Sequence, residues 1–106
     1  MSFMLTDLMG DTSDSDDPRD IEALLQQLDS ADAEHTDVSI STADGWTISA
    51  YRSGNVIFMN VEVRPTVPRH IKSLSRGEVV RLMRLLAAGD LDALEREPWL
   101  AGYPRA

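Results

Sequence analysis

Cysteine is absent from the 106 residues, so neither a disulfide framework nor a thiolate metal site can be built, and a reducing compartment is the expected home. Long apolar runs are missing too. Nothing approaches the roughly 18 consecutive apolar residues that a membrane span requires. The opening "MSFMLTDLMG" has no basic n-region and only a broken apolar stretch, so a secretory signal is not expected. Together these absences predict a soluble cytoplasmic protein that does not enter a membrane. Catalytic patterns are also lacking: there is no GxSxG, HExxH, Walker-type or GxGxxG sequence. Only two histidines occur, His35 in a predicted loop and His70 among basic residues. His70 beside Arg69 reads either as an exposed loop histidine or as a group orienting a phosphate. Glu62 reads as an exposed strand position and Glu78 as a helix-capping residue, not as a general acid or base. The expectation is a protein that is not an enzyme and holds no cofactor.

Basic residues are scarce where acidic ones are dense. Residues 1–37 carry eleven acidic side chains against Arg19 alone, a balance of −10, while the remaining 69 residues carry seven acids and nine bases, a balance of +2. The overall charge of −8 therefore belongs to the N-terminal third. A free nucleic-acid binder is normally basic. Here the field of the whole molecule repels polyanions and attracts cationic partners, so nucleic acid is not the expected ligand.

The stretch predicts a single α+β domain over 18–106, preceded by an acidic, flexible lead-in over 1–17. Asp17 suits a helix N-cap, Pro18 the first helical position, and Asp20 and Glu22 the positive end of the helix dipole. Ile21, Leu24, Leu25 and Leu28 then recur at the spacing of one helix face, fading near Asp29-Ser30. Three strand-like runs follow, joined through Asp44-Gly45 and Ser53-Gly54-Asn55, both good hairpin signals. Trp46, Ile48 and Ala50 share one face of the middle run. In the third run Ile57, Met59, Val61 and Val63 are expected to face the interior, opposite Val56, Phe58, Asn60 and Glu62. The expected sheet is a three-stranded antiparallel meander. "PTVPRHIKSL" reads as an irregular edge segment. "SRGE" at 75–78 matches a capping box ahead of a helix carrying Val79, Leu82, Met83 and Leu86, and Gly89 suits its C-terminus. A short helix from Asp90 ends before Pro98.

Three features qualify as sites. The acidic run "GDTSDSDDPRD" has oxygen side chains at calcium-loop spacing from Asp11, but Asp16 stands where the sharp turn needs glycine and Pro18 disrupts the rest. It reads instead as solvated charge or as a face that grips a basic partner through Asp14, Asp16, Asp17 and Asp20. Tyr51 and Phe58 lie on the wetter side of adjacent strands, where they serve either as interface anchors or as the surface that a helix covers. Arg64, Arg69, Lys72 and Arg76 form a basic cluster, continued by Arg81 and Arg84. They either pair internally with the upstream acids or bind an anion. No metal site is expected.

The leading "DPRDIEALLQQLDS" helix, the strands "DVSISTADGWTISAYRSGNVIFMNVE" and the closing "LSRGEVVRLMRLLAAGDLDALEREPW" resemble, in their layout, the small immunity proteins encoded beside bacterial polymorphic toxins. The resemblance implies a non-enzymatic inhibitor that binds a cognate toxin domain and occludes its active site. The acidic surface fits a basic toxin. The alternatives are a regulatory or adaptor domain binding nucleic acid or a phosphorylated ligand through residues 64–84, and a phage-encoded inhibitor of host defence.

Overall fold

The computed structural model describes residues 2–63 and 65–104. Seven strands form one antiparallel sheet, and three helices lie against one of its faces. The strands are β1 (Phe3–Thr6), β2 (Thr12–Ser15), β3 (Asp37–Ser41), β4 (Trp46–Tyr51), β5 (Val56–Asn60), β6 (Arg69–Ile71) and β7 (Leu100–Ala101). Across the sheet they run β2-β1-β3-β4-β5-β6-β7. The helices are α1 (Arg19–Gln26), α2 (Arg76–Ala87) and α3 (Leu91–Glu95).

The α+β class stands, but the three-stranded meander is only the middle of the sheet. The expected strands are β3, β4 and β5, and two more strands flank them on either side. Residues 3–15, expected to be a lead-in, form a hairpin. Asp7 closes its turn: its backbone N–H donates to Asp11 O at 2.9 Å and its carboxylate accepts from the amides of Met9 and Asp11. Gly10 adopts φ +87°, which the turn needs. Phe3 lies in the hydrophobic core, so the hairpin is built into the domain. At the other margin, the segment read as irregular supplies β6, and the C-terminal residues add β7.

Register decides which side chains enter the core. Ala50 pairs with Val56 and Ile48 with Phe58, so β5 buries Val56 and Phe58 on the face that Ile48, Ala50, Val38 and Ile40 occupy. This reverses the expected phase of the third run. Ile57 is buried on the opposite face and lies outside the core cluster, and Val61 and Val63 follow the end of the strand and are exposed. The helical stripes behave as their spacing predicts. Ile21, Leu24, Leu25 and Leu28 meet Val79, Leu82, Met83 and Leu86 in one cluster over the sheet. Burying one such aliphatic side chain is worth about 1.5–3 kcal/mol.

Caps follow the sequence in part. Ser75 Oγ accepts from the Glu78 amide at 3.2 Å, but the Glu78 carboxylate pairs with Arg81 instead of reaching back. Asp17 accepts from the Arg19 amide at 2.9 Å, but it stands one residue ahead of the N-cap, which is Pro18, and two ahead of the first helical residue. Asp90 accepts from the Ala93 amide and opens α3 as expected.

Candidate protein-binding surface

A sheet with helices on one side leaves its other face free of helices, although Ile57 and His70 on that face are buried, with His70 Nδ1 2.7 Å from Gly102 O. Cross-strand pairing fixes what that face carries. Asp14, Met4, Ser41, Thr47 and Met59 form one continuous row over five strands. Thr12, Thr6, Ser39, Ser49, Ile57, His70 and Leu100 form the next. Small hydroxylated residues alternate with apolar ones, as in an antiparallel sheet with one solvated face. Yet Met4 is 39% exposed and Leu100 56%, and Tyr103, beside Tyr51, is 59% exposed. Tyr51 pairs with Asp37 at the margin of this face. Burial, followed by the charge of Asp37 and by Tyr103, pushes the Tyr51 hydroxyl up, so it stays protonated and able to donate.

Of the two aromatic anchors expected from sequence, Tyr51 is therefore on the free face and Phe58 is not. Phe58 is fully buried under the helices. Its ring lies 5.0 Å from both the Trp46 and the Trp99 rings, with the Arg69 guanidinium 4.9 Å over its centre. Trp99 is locked by donating to Leu94 O at 2.7 Å. Phe58 is a core residue, and a partner cannot reach it in the folded chain.

The acidic run divides by role. Thr12–Ser15 is extended along β2, which sends its side chains to two faces instead of curling them round an ion. Among the described residues no group of three His, Cys, Asp or Glu side chains converges. Asp17 chelates the Arg19 guanidinium at 2.9–3.2 Å, and that contact holds its carboxyl below the usual range. Asp20 accepts from the Ser15 hydroxyl at 2.6 Å, tying β2 to α1. Asp14 and Asp16 are exposed and form no ion pair among the described residues. Of the four carboxylates expected to meet a partner, Asp14 and Asp16 are thus available, while Asp17 and Asp20 serve the fold.

The basic cluster is largely committed inside the molecule. Arg69 forks onto Glu95 with two 2.7 Å contacts, which hold the Glu95 carboxyl low and the guanidinium charged. Arg76 donates to Leu25 O at 2.8 Å, satisfying an end carbonyl of α1, and reaches Asp29. Arg81 bridges Glu97 and Glu78, and Arg84 meets Glu22 at 2.5 Å. Lys72 is exposed without an ion pair among the described residues, and Arg64 lies outside them. His70, expected as an exposed loop histidine or a phosphate contact, is buried in β6 with Nδ1 2.7 Å from Gly102 O.

Sequence reasoning did not single out Ser41 or Thr47 on the helix-free face, whereas Glu62 is exposed as expected. The alternation in "FMLT" was the available signal for β1, but four residues are too few to separate a strand from a tail. No described helix is long and apolar enough to cross a membrane. Comparison with known proteins finds no matching family model, no similar curated protein and no matching solved structure.

Proposed function

We propose that the chain is a non-enzymatic inhibitor of the immunity-protein kind, neutralising a basic bacterial toxin domain in the cytoplasm by covering its active site. The observation that carries this reading is a division of the surface. The arginines over the helical layer are neutralised by Glu22, Asp29, Glu78, Glu95 and Glu97. The helix-free face and its β2 margin keep apolar side chains beside the unpaired carboxylates of Asp14 and Asp16. Such a face offers a cationic protein apolar area to bury and a field that steers its approach. Steering of this kind raises association rates by about 10- to 1000-fold at low salt. Contacts are assigned to Asp14, Asp16 and Tyr51, and no longer to Phe58.

The test has two steps. The tagged chain is used to capture proteins from the lysate of its native cell, and each captured protein is then assayed for a toxic activity that the chain blocks at one-to-one stoichiometry. A cationic target silenced in this way supports inhibition. Heparin binding at low salt that falls steeply as salt rises would instead favour the adaptor reading through residues 64–84. Turnover of any substrate by the chain alone would overturn the non-enzymatic reading.

A further inference from the structure

A sheet ends on strands whose outer backbone groups have no neighbour, and the two ends of this one differ. β7 closes one end with two residues. Only Ala101 turns its N–H and C=O outward there, because the Gly102 amide donates to Pro68 O and Leu100 pairs with His70. β2 closes the other end with four residues, Thr12–Ser15. Which of its groups point outward follows from the hairpin. The Asp7 amide donates to Asp11 O at 2.9 Å, and hydrogen-bonded pairs alternate along an antiparallel ladder, so Leu5 with Ser13 and Phe3 with Ser15 are the bonded pairs. Thr12 and Asp14 therefore direct both N–H and C=O away from β1. Both residues are exposed, and their side chains stand on the helix-free face beside Thr6 and Met4.

Proteins guard such edges by making them short, bulged, covered or charged. β7 is guarded by its brevity. β2 contains no proline and no lysine, and its guard is charge of one sign: Asp14 lies in it, Asp11 and Asp16 flank it, and none of the three forms an ion pair among the described residues. A second copy of this edge is repelled, because pairing two such strands sets like charges against one another across the seam. A strand with arginine or lysine at alternate positions meets the opposite situation. It finds two backbone hydrogen bonds at each of Thr12 and Asp14, and a negative partner for its own charge on the same face. The backbone makes the site, and the carboxylates choose its occupant.

We infer that β2 takes an extended, basic segment of a protein partner as an added strand, a reading that rests on the inhibitor function proposed above. The strand enters antiparallel, the sense of every pair already in the sheet. Its residues opposite Thr12 and Asp14 exchange backbone hydrogen bonds with them, and the residue opposite Asp14 is an arginine or a lysine.

The experiment is an amide chemical-shift titration of the full chain with an acetylated, amidated hexapeptide of alternating arginine and valine. In the free chain the Thr12 and Asp14 amides are expected to exchange with water faster than the Ser13 amide, which is bonded to β1. The peptide is expected to give saturable shifts, largest at the Thr12 and Asp14 amides and smaller at Ser13. A glutamate–valine peptide of the same length is expected not to bind. Methylating the arginine amides, which face β2, abolishes binding, whereas methylating the valine amides, which point away, leaves affinity within about twofold. Thr12→Pro deletes one outward N–H and no ladder bond, keeps every charge, and weakens the peptide roughly tenfold with unchanged salt dependence. Asp14→Asn keeps the backbone and weakens it about two- to fivefold with a flatter salt dependence. Slow exchange at Thr12 and Asp14 in the free chain would overturn the edge site. So would shifts that never saturate or that spread evenly over the acidic residues, equal binding of the glutamate–valine peptide, or affinity indifferent to which amides are methylated. The methylated peptides leave the protein untouched, so they decide the matter even where Thr12→Pro disturbs the hairpin. Failure here is separable from failure of the function. Peptide capture at β2 in a chain that inhibits no basic protein leaves the edge standing and removes the inhibitor reading. An inhibited toxin whose affinity ignores both Thr12→Pro and Asp14→Asn does the reverse.

Discussion

Truncating Phe58 to alanine separates the two faces of the sheet more sharply than any other single change. The ring is fully buried, stacked between Trp46 and Trp99 and capped by Arg69. Removing a buried phenylalanine costs about 3–5 kcal/mol, from lost transfer energy and the cavity left behind. Two aromatic pairs, each worth about 0.5–1.5 kcal/mol beyond area, push the cost to the upper end of that range. A domain of this size holds about 5–15 kcal/mol in all, so the variant stands near the edge of folding. At about 4–8 °C per kcal/mol, its melting temperature falls by roughly 20–40 °C.

Urea unfolding followed by tryptophan emission is the assay, because both indoles that flank the ring report on it directly. Tyr51→Ala is the matched control: half-buried on the free face, it is expected to cost about 1 kcal/mol with an unchanged denaturant slope. If Phe58→Ala cost less than about 1 kcal/mol, or less than Tyr51→Ala, the assignment of faces would be refuted.

Gly54 adopts φ +90° and its missing Cβ would strike the Leu74 backbone, so Gly54→Ala should cost about 2–4 kcal/mol in chemical denaturation; a neutral result would contradict that close approach. Asp14→Asn and Asp16→Asn should leave the melting temperature within about 2 °C of the parent, while Asp17→Ala, which loses the Arg19 chelate and its hold on the α1 start, should lower it clearly in the same thermal melts. Arg69 holds the folded-state pKa of Glu95 below its unfolded value, so the pair's contribution is complete above the ordinary carboxylate range and is lost as pH falls through the depressed value. Melting temperatures measured from pH 6 down to about pH 3 should therefore decline less steeply for Glu95→Gln than for the parent, and a steeper decline would count against the pair.

How much of this was legible in the sequence depended on whether one pattern alone could decide. The α1 and α2 stripes were legible because Ile21, Leu24, Leu25 and Leu28, and later Val79, Leu82, Met83 and Leu86, repeat at a period only a helix buries. The strands β3 to β5 were legible from Gly45 and Gly54, which both take positive φ at their hairpins. The phase of β5 was not. Val56-Ile57-Phe58-Met59 is apolar at every position, so alternation cannot choose a face. The choice is made by the Gly54 turn, where the Tyr51 amide donates to Asn55 O and so sets Ala50 against Val56. The β1–β2 hairpin was hidden by composition: "TSDS" has little strand propensity, and only pairing with β1 makes it a strand. Of the candidate surface, the charge asymmetry was visible in the sequence. The sorting of carboxylates into paired and unpaired was not, because Arg84 with Glu22 and Arg69 with Glu95 are distant in sequence and meet only through packing.

That sorting bears directly on what the free face can do. An antiparallel sheet with one wet side is ordinary, and its serines and threonines need no further explanation. The charge distribution does, since ion pairing has a direction here. The partners of Arg69, Arg76, Arg81 and Arg84 are acids of the helical layer, so the bases cancel charge on that side and leave β2 and the Glu62 turn uncompensated. Asp14 carries its unpaired charge on the sheet face that has no helices, beside Met4, while Asp20 and Asp92 of the helices likewise form no ion pair among the described residues. Had the arginines served an anion, their guanidinium forks would be free. They are occupied instead, while Asp14 of β2 and Glu62 of the turn after β5 form no ion pair among the described residues, an asymmetry that supports the cationic partner proposed above.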